Sequence, residues 1–249
     1  MDDVLVRAVQ LPAADVGEER SGHPWDLPAV RALADGLDLG VAVTYLIGEN
    51  GSGKSTLMEA IAIASGMNAE GGSSGFAFST RASHSQLGHA LRLIRGARRP
   101  RTDFFLRAES LFTAATYLET LEEPGRDPLA AYGGRSLHEQ SHGESFLAVV
   151  LNRFGPGGFY LLDEPEAALS SQNCLTLLRR IHELVTEGSQ FVIATHSPIV
   201  LAYPGARIYA CGEDGIETVA FEDAPPVRLT RSFLDAPERY LRALFSDEP

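Results

Sequence analysis

The chain has 249 residues, of which 44% are hydrophobic and 22% are charged, a balance typical of a folded globular protein. No stretch approaches the roughly 18 uninterrupted apolar residues of a membrane helix, which argues against a membrane span. The formal net charge of −12 argues against a protein whose main task is to coat nucleic acid, because the overall field repels phosphate backbones.

The first residues, Met1-Asp2-Asp3, are acidic and lack the basic start of a signal peptide. Cys174 and Cys211 lie far apart and show no metal-ligand spacing, as expected for two free thiols in a reducing compartment. We therefore expect a cytoplasmic protein.

The amino-terminal part of the chain predicts two strands and a helix. Val4–Leu11 alternates loosely between apolar and polar residues, which favours an edge strand. Val41–Ile47 is a dense run of β-branched and apolar residues, typical of a buried parallel strand. A glycine-rich turn follows, and apolar residues then recur at helical spacing through Lys54–Ser65. This order predicts a strand, a glycine loop and a helix.

Glycines and prolines divide the middle of the chain into short predicted elements. It predicts, in order, a loop at Gly71–Gly75, a strand at Asp103–Ala108, a helix at Glu109–Leu121, a polar loop at Gly133–His142 and a helix at about Glu144–Phe154. We interpret residues 109–157 as a small helical subdomain, inserted within a single domain that spans residues 1–249.

The last part of the chain again alternates strands with helices. It predicts strands at Phe159–Leu162 and Phe191–Thr195, a helix at Asn173–Glu187 between them, and a hairpin formed by Arg207–Cys211 and Ile216–Ala220. Asp235 with Glu238 three residues later resembles a capping box, which would open a last helix that ends near Phe245. Together these elements predict an α/β fold with a mostly parallel sheet flanked by helices and an antiparallel β portion.

The glycine-rich turn Gly48–Ser55 fits the pattern G-x-x-x-x-G-K-[ST]. Its glycines allow positive φ angles, so backbone N–H groups can face phosphate oxygens, and the following helix directs its positive end at the same anion. Lys54 would reach the β- and γ-phosphates, and the Ser55 hydroxyl would be a Mg²⁺ ligand. The candidate nucleotide-binding residues of this loop are Asn50, Gly51, Ser52, Gly53, Lys54, Ser55 and Thr56.

Two apolar strands end in polar residues suited to phosphate chemistry. Phe159–Leu162 leads into Asp163, a candidate Mg²⁺ ligand, and Glu164, a candidate for polarising an attacking water. Acidic pairs after a strand are otherwise usually helix caps or surface charges. The second strand leads into His196, which could donate a hydrogen bond to a γ-phosphate, although such a histidine is more often a satisfied polar group. Glu164 and His196 are therefore the candidate catalytic residues.

In this order, the segments GENGSGKST, YLLDEPEAAL and IATHSP resemble the ABC-type P-loop ATPase heads. They are most similar to the small, stand-alone bacterial predicted AAA/ABC ATPases related to SMC-type heads, and the resemblance spans about residues 24–245. It implies a P-loop NTPase that binds ATP with Mg²⁺, hydrolyses it, and completes its sites by ATP-dependent homodimerisation.

The resemblance also points to two weaker elements at the dimer interface. Ala168-Leu169-Ser170 resembles the D-loop, which crosses that interface. Gln140–Glu144 resembles the signature loop LSGGE, which it matches at Ser141, Gly143 and Glu144 but not at positions 140 and 142. The resemblance implies that Ser141 and Gly143 contact the nucleotide of the opposite protomer; a polar helix cap without a role in trans is the alternative.

The sequence leaves two possible roles open for each of two further residues. Glu109 stands where the family has its Q-loop glutamine, so it could bind Mg²⁺ or its water, or form a salt bridge with Arg107. Trp25 is a candidate platform for adenine, or a core or lid aromatic. The sequence assigns no other adenine contact.

The process in which such an ATPase domain acts depends on the partners that it binds. Arg92, Arg95, Arg98, Arg99 and Arg101 form a local basic cluster, which is either a nucleic-acid contact or a solvated helix end and loop. Only 31 residues separate Glu109 from Ser141, too few for SMC-type coiled-coil arms. We expect a dimerisation switch acting with a protein partner, in DNA transactions or defence. The alternatives are the nucleotide-binding subunit of an ABC transporter and a scaffold that binds ATP without hydrolysis.

Overall fold

A computed structural model describes residues 4–14, 20–69, 71–73, 83–109, 134, 136 and 139–246. The strands in this part are β1 Val6–Gln10, β2 Leu37–Asp38, β3 Val43–Ile47, β4 Arg92–Arg95, β5 Asp103–Arg107, β6 Phe159–Asp163, β7 Gln190–Ala194, β8 Arg207–Gly212 and β9 Gly215–Val219. The α-helices are α1 Pro28–Arg31, α2 Lys54–Ser65, α3 Ser83–Ala90, α4 His142–Asn152, α5 Ser171–Thr186, α6 Pro225–Asp235 and α7 Pro237–Phe245.

The larger sheet has the strand order β5-β6-β7-β3-β8-β9. Strands β5, β6, β7, β3 and β8 pair in parallel, and β9 pairs antiparallel with β8. The predicted mostly parallel sheet with an antiparallel portion is therefore confirmed.

Helices cover both faces of this sheet, which explains why β3, β6 and β7 are buried at every residue rather than at alternate ones. On one face, Phe146 of α4 and Ile181 of α5 pack in the same core cluster as Tyr45 of β3. On the other face, Ile61 of α2 packs in a second cluster with Leu46, the next residue of β3. Adjacent strand residues point to opposite faces, so each strand contributes to both cores.

A separate three-stranded sheet has the order β2-β1-β4, and both of its pairings are antiparallel. The prediction that Val4–Leu11 forms an edge strand is wrong, because β1 lies in the centre of this sheet. Strand β2 has two residues and β4 has four, so neither carries enough periodicity to be recognised as a partner.

The side chain of Gln190, the first residue of β7, joins the two sheets. Its Oε1 accepts hydrogen bonds from the backbone N–H groups of Leu5 at 3.0 Å and Val6 at 2.8 Å. Its Nε2 donates to the carbonyl oxygens of Val6 at 2.8 Å and Leu39 at 2.7 Å. A buried amide that fills both its donor and acceptor capacity fixes the small sheet against the large one.

The observed helices differ from the predicted ones in informative ways. Helix α2 begins and ends where it was predicted, and α4 begins at the predicted polar loop. The predicted helix Glu109–Leu121 and most of the insert fall outside the described residues. The capping box at Asp235 is wrong: Asp235 is the last residue of α6, and Ala236 precedes α7 without a side-chain cap.

Helix α6 itself was not predicted from the sequence. Pro225 and Pro226 open it, since proline is tolerated in the first helical turn, where its missing N–H has no partner to lose. Helices α6 and α7 expose several large apolar side chains: Leu229, Phe233, Leu234, Leu241, Leu244 and Phe245. Within the described part of the chain, every helix is too short or too polar to cross a membrane.

Candidate functional site

The predicted site residues follow three neighbouring parallel strands, β6, β7 and β3, at one edge of the larger sheet. Gly48 follows β3, Asp163 ends β6 with Glu164 immediately after it, and His196 follows β7 closely. Because the carboxyl ends of parallel strands meet at one edge, residues distant in sequence are brought together there.

Glycines shape the loop between β3 and α2. Gly48, Gly51 and Gly53 have φ angles of 148°, 84° and 94°. A Cβ on Gly48 would overlap the carbonyl oxygen of Cys211 on β8, so this position also needs the absence of a side chain. Asn50 and Gly51 lie at the exposed tip of the loop, and Gly53 precedes α2 without a side-chain cap. The first N–H groups of α2 therefore face the loop, as an anion site requires.

Lys54 lies buried at the start of α2. Its Nζ donates to the carbonyl oxygens of Gly48 at 2.7 Å and Glu49 at 3.0 Å. Burial lowers the pKa of Lys54, while the nearby carboxylates, Glu164 foremost, act in the opposite direction. The ammonium group thus lies across the opening of the glycine loop, held by bonds that a phosphate oxygen could replace.

Ser55 and Asp163, the predicted metal pair, are in contact. The Ser55 hydroxyl donates to Oδ1 of Asp163 at 3.4 Å, a long hydrogen bond. Asp163 is 5% exposed, and burial raises its pKa to about 6, while the positive charge of Arg107 opposes that rise. A hydroxyl and a carboxylate oxygen facing each other match the oxygen ligands that Mg²⁺ prefers.

Arg107 and Glu59 complete a buried charged cluster that the sequence analysis missed. Arg107, the last residue of β5, lies opposite Asp163 in the strand register. Its guanidinium forms ion pairs with Glu59 at 2.6 Å and Asp163 at 3.4 Å. Arg107 therefore pairs with Glu59 and Asp163, and the salt bridge between Arg107 and Glu109 that was one of the two predictions for Glu109 is not formed. Glu109 itself is exposed two residues beyond β5, and its contact with Mg²⁺ stays a prediction.

Glu164 and His196, the predicted catalytic pair, face each other. Glu164 has a φ angle of 49°, the one positive φ at a non-glycine residue among those the structure describes. Its backbone N–H donates a hydrogen bond to the carbonyl oxygen of Ala194 at 2.9 Å. Its Oε1 lies 3.7 Å from Nε2 of His196. A strained backbone at such a position is characteristic of functional sites.

Glu166 fixes the segment that carries His196. Its Oε2 accepts a hydrogen bond from the Thr195 hydroxyl at 2.7 Å, and its Oε1 accepts one from the backbone N–H of His196. The sequence analysis did not single out Glu166, although it lies two residues beyond Glu164. Its two bonds hold the ends of β6 and β7 in a fixed relation.

The signature-like residues lie next to the D-loop-like segment. Ser141 caps α4 and forms a capping box with Glu144, so the helix-cap interpretation describes what Ser141 does within one chain. A Cβ on Gly143 would lie 3.0 Å from the carbonyl oxygen of Ala168, so glycine permits this close approach. Contacts in trans by Ser141 and Gly143 remain a prediction.

The basic cluster lies on β4 and the loop after it, rather than at a helix end. Arg92 is exposed and Arg95 half-buried on β4, and Arg98, Arg99 and Arg101 are exposed in the loop. The guanidinium of Arg98 lies near Gly188, and the side chain of Arg101 lies near Gly157. The cluster thus connects the small sheet to loops at the amino ends of β6 and β7.

Trp25 is 9% exposed and belongs to the core cluster of α1 and α2. The guanidinium carbon of Arg20 lies 5.2 Å from its ring centroid. One ring face is thus already covered by a cation, which favours the core or lid interpretation over an adenine platform.

A cavity of about 670 Å³ lies beside the glycine loop, between Glu49, His196, the β8–β9 hairpin and the start of α6. Cys211 lines it, and burial raises the pKa of this thiol to about 11. Since β8 lies on the far side of β3 from β6, the cavity provides space on the side of the loop opposite Asp163.

Within the part of the chain that the structure describes, the buried polar atoms at this edge that have no hydrogen-bond partner include Ser52 Oγ, His196 Nε2 and Arg107 Nε. Buried polar groups are normally paired, so Ser52 Oγ and His196 Nε2 are candidate contacts for a ligand atom or a water. With Lys54 and the Ser55–Asp163 pair beside them, the residues fit a Mg²⁺-bound nucleotide phosphate.

The family model described as "AAA domain, putative AbiEii toxin, Type IV TA system" matches residues 43–106. This segment contains β3, the glycine loop and α2, and nearly all of β5. No curated protein matches the chain.

Several solved structures are similar in fold. An ATP-binding cassette of an ABC transporter is 17% identical over 95% of this chain and 99% of its own, with a TM-score of 0.49. The cbiO1 protein from Clostridium perfringens, part of an ABC transporter complex, is 15% identical over 95% and 97%, with a TM-score of 0.47. The SMC head domain from Thermotoga maritima is 17% identical over 74% and 92%, with a TM-score of 0.40.

The fold and the site define an α/β P-loop protein in which the strands leading to Lys54, Asp163 and His196 are neighbours. The family match, which covers the glycine loop and α2, supports the P-loop assignment of this segment.

Proposed function

We propose that this chain binds and hydrolyses Mg-ATP and uses the nucleotide to control association of two copies. One observation carries the proposal: the Ser55–Asp163 pair, at 3.4 Å, and the Glu164–His196 pair, at 3.7 Å, lie at the edge of the sheet where the P-loop begins α2. One pair suits the metal and the other suits the reacting phosphate and water.

Binding uses the loop and the start of α2. Lys54 exchanges its bonds to the Gly48 and Glu49 carbonyls for bonds to β- and γ-phosphate oxygens. Ser55 and Asp163 would hold Mg²⁺, directly or through a water. When bound, the ion would neutralise charge on the phosphate oxygens. The backbone of Asn50–Gly53 and the Thr56 region of α2 supply N–H donors to the phosphates.

Turnover uses the other pair. The Glu164 carboxylate orients a water for in-line attack on the γ-phosphate and accepts its proton. His196 donates from Nε2 to a γ-phosphate oxygen, where negative charge develops. Glu166 supports this role, because its bonds to Thr195 and His196 restrict the histidine before the nucleotide arrives.

Association in trans is supported by the position of the signature-like residues. Ser141 is exposed at the amino end of α4, and Gly143 contacts the D-loop-like Ala168. One surface therefore presents a helix amino terminus beside the segment that follows Glu164. In a head-to-tail pair, this surface of one copy would cover the nucleotide of the other, so ATP would join the copies and hydrolysis would release them.

The proposed nucleotide-dependent association acts on a protein partner in DNA transactions or defence. The matching family is described in terms of a type IV toxin–antitoxin system, which is in line with a defence role. The net charge of −12 limits direct DNA binding to the cluster on β4 and its loop. A salt-dependent DNA shift that is lost when Arg92, Arg98 and Arg99 are replaced by glutamine would support that contact.

The decisive experiment measures mass in solution and phosphate release for the wild type and Glu164→Gln, with and without Mg-ATP. The proposal expects phosphate release by the wild type and an ATP-dependent dimer of Glu164→Gln that does not turn over. Glu187→Gln, an exposed substitution at the end of α5, is the matched control and should behave as the wild type. A variant that stays monomeric in saturating Mg-ATP would overturn the dimer switch, and bound but uncleaved ATP in the wild type would favour a scaffold.

A further inference from the structure

The two carboxylate oxygens of Asp163 have different partners. Oδ1 faces the Ser55 hydroxyl at 3.4 Å, and Oδ2 faces Nε of Arg107 at 3.4 Å. The side chains of Asp163 and Arg107 are 6% and 17% exposed, so little water competes for either contact. Nε of Arg107 makes no hydrogen bond within the described part of the chain, so its contact with Oδ2 is an ion pair that attracts this oxygen toward the Arg107 side.

Glu59 fixes Arg107 in turn. It lies on α2 one turn after Ser55, so both side chains lie on the same face of the helix. Its Oε1 accepts a hydrogen bond from Nη1 of Arg107 at 2.6 Å, a short charge-assisted bond, and its side chain is 7% exposed. Arg107 thereby connects the helix that follows the P-loop with the strand that ends in Asp163.

The charges of this cluster also favour a cation. Two carboxylates, Glu59 and Asp163, share one guanidinium, so the cluster carries a net negative charge if all three groups are ionised. Lys54 is directed at the carbonyls of its own loop and leaves Oδ1 of Asp163 to Ser55. A divalent cation between Ser55 and Oδ1 would compensate the charge that Arg107 leaves uncovered.

We propose that Arg107 is a positioning residue for the metal: by holding Oδ2 of Asp163, and being held by Glu59, it keeps Oδ1 directed at the Ser55 side. This inference rests on the proposed function, because it requires that Ser55 and Asp163 hold Mg²⁺ beside the nucleotide. Arg107 should therefore contribute to nucleotide affinity only when Mg²⁺ is present, whereas the P-loop contributes with or without Mg²⁺.

The test is the Mg²⁺ dependence of nucleotide binding, read by fluorescence of a labelled ATP analogue in EDTA and across a Mg²⁺ titration. For Arg107→Gln, we expect the half-saturating Mg²⁺ concentration to rise about 10- to 100-fold, as for other partners of metal ligands, with the affinity in EDTA unchanged. Arg107→Lys should lie between the two, because an ammonium keeps the charge but cannot hold two carboxylates in a planar fork. Glu59→Gln should shift the Mg²⁺ dependence in the same direction as Arg107→Gln.

Arg180→Gln is the matched control. Arg180 is also a partly buried arginine, at 21% exposure, that pairs with a glutamate and a backbone carbonyl, but it lies on α5 and bonds Glu183 and Phe154. Its replacement should leave both affinities unchanged. Circular dichroism confirms that each variant is folded; if Arg107→Gln is not, Arg107→Lys and Glu59→Gln carry the test.

Two results would overturn the inference. Equal loss of affinity with and without Mg²⁺ would make Arg107 a structural residue, and an unchanged Mg²⁺ dependence would give it no part in the site. Ser55→Ala separates this failure from failure of the proposed function. If Ser55→Ala weakens Mg²⁺-dependent binding and Arg107→Gln does not, only the inference fails. If the wild type shows no Mg²⁺-dependent binding, the proposed function fails with it.

Discussion

Nε2 of His196 lies 3.7 Å from Oε1 of Glu164, although the two residues follow different strands. Glu164 has a positive φ, and Glu166 accepts a hydrogen bond from the backbone N–H of His196. Nε2 is buried and has no hydrogen-bond partner among the residues described. The pair therefore faces a position where a reacting oxygen can sit between an acceptor and a donor.

Replacement of His196 by alanine should reduce ATP turnover by about 100-fold or more while nucleotide affinity changes little, because the lost donor acts on charge that develops during the reaction. Steady-state phosphate release and equilibrium binding of a labelled nucleotide separate the two effects. His182→Ala is the control, since His182 is exposed on α5 and contacts Tyr203. Undiminished turnover in His196→Ala would remove the histidine from the reaction.

Replacement of Glu166 by alanine should lower both turnover and stability, because it leaves the Thr195 hydroxyl and the His196 N–H without their acceptor. We expect a loss of about 1–3 kcal/mol in the free energy of unfolding, measured by urea denaturation. Thr195→Val keeps the bond between the His196 N–H and Glu166, but it removes both the bond from Thr195 to Glu166 and the bond that Thr195 accepts from the Ser197 N–H at 3.0 Å, so it separates the hydroxyl contacts from the His196 contact. If Glu166→Ala retains wild-type turnover, the position of His196 does not depend on this carboxylate.

Two glycines of the P-loop allow steric crowding to be separated from backbone strain. Gly48 and Gly51 both have positive φ, but a Cβ on Gly48 overlaps Cys211, whereas nothing lies within 4 Å of a Cβ on Gly51. Gly51→Ala should cost about 1–2 kcal/mol from its backbone conformation alone, and Gly48→Ala should cost clearly more. Thermal unfolding of both variants measures the difference. Equal losses would mean that the contact with β8 is not a constraint.

Asp163→Asn should stabilise the nucleotide-free protein at pH 8. Burial raises the pKa of Asp163 from near 3.8 to about 6, so between these values the folded state binds more protons than the unfolded state. Wild-type stability from this group therefore falls as the pH rises from about 4 to 6 and stays low above that range. The asparagine variant lacks this dependence, so its advantage in Tm should be largest at pH 8 and vanish near pH 4. A lower Tm than the wild type at pH 8 would contradict this.

The sequence predicted the parts of the molecule in which local pattern and tertiary environment agree. Strand β3, the glycine loop and α2 were predicted because a buried parallel strand is apolar throughout and the helix repeats every three or four residues. Asp163, Glu164 and His196 were predicted as site residues because each lies at or just beyond the end of such a strand, and the structure brings them to one edge of the sheet. The P-loop segment was likewise predicted, and the family match over residues 43–106 supports it.

The remaining features depend on contacts that no local pattern reveals. The Arg107–Glu59 pair joins residues from β5 and α2, and neither residue is unusual in its own segment. Helix α6 was not predicted because it begins with two prolines, a pattern that usually indicates a loop or the end of a helix. The capping box at Asp235 had suitable residue types, but the backbone there still belongs to α6.

Gln190 and His196 mark the two ends of one short segment. At its amino end, the Gln190 side chain binds the backbone of β1 and of Leu39, and β1 pairs with β4, which carries Arg92 and Arg95. At its carboxyl end lies His196, at the candidate phosphate site. The same five-residue buried strand, Gln190–Ala194, therefore joins the candidate site to the arginine-bearing sheet.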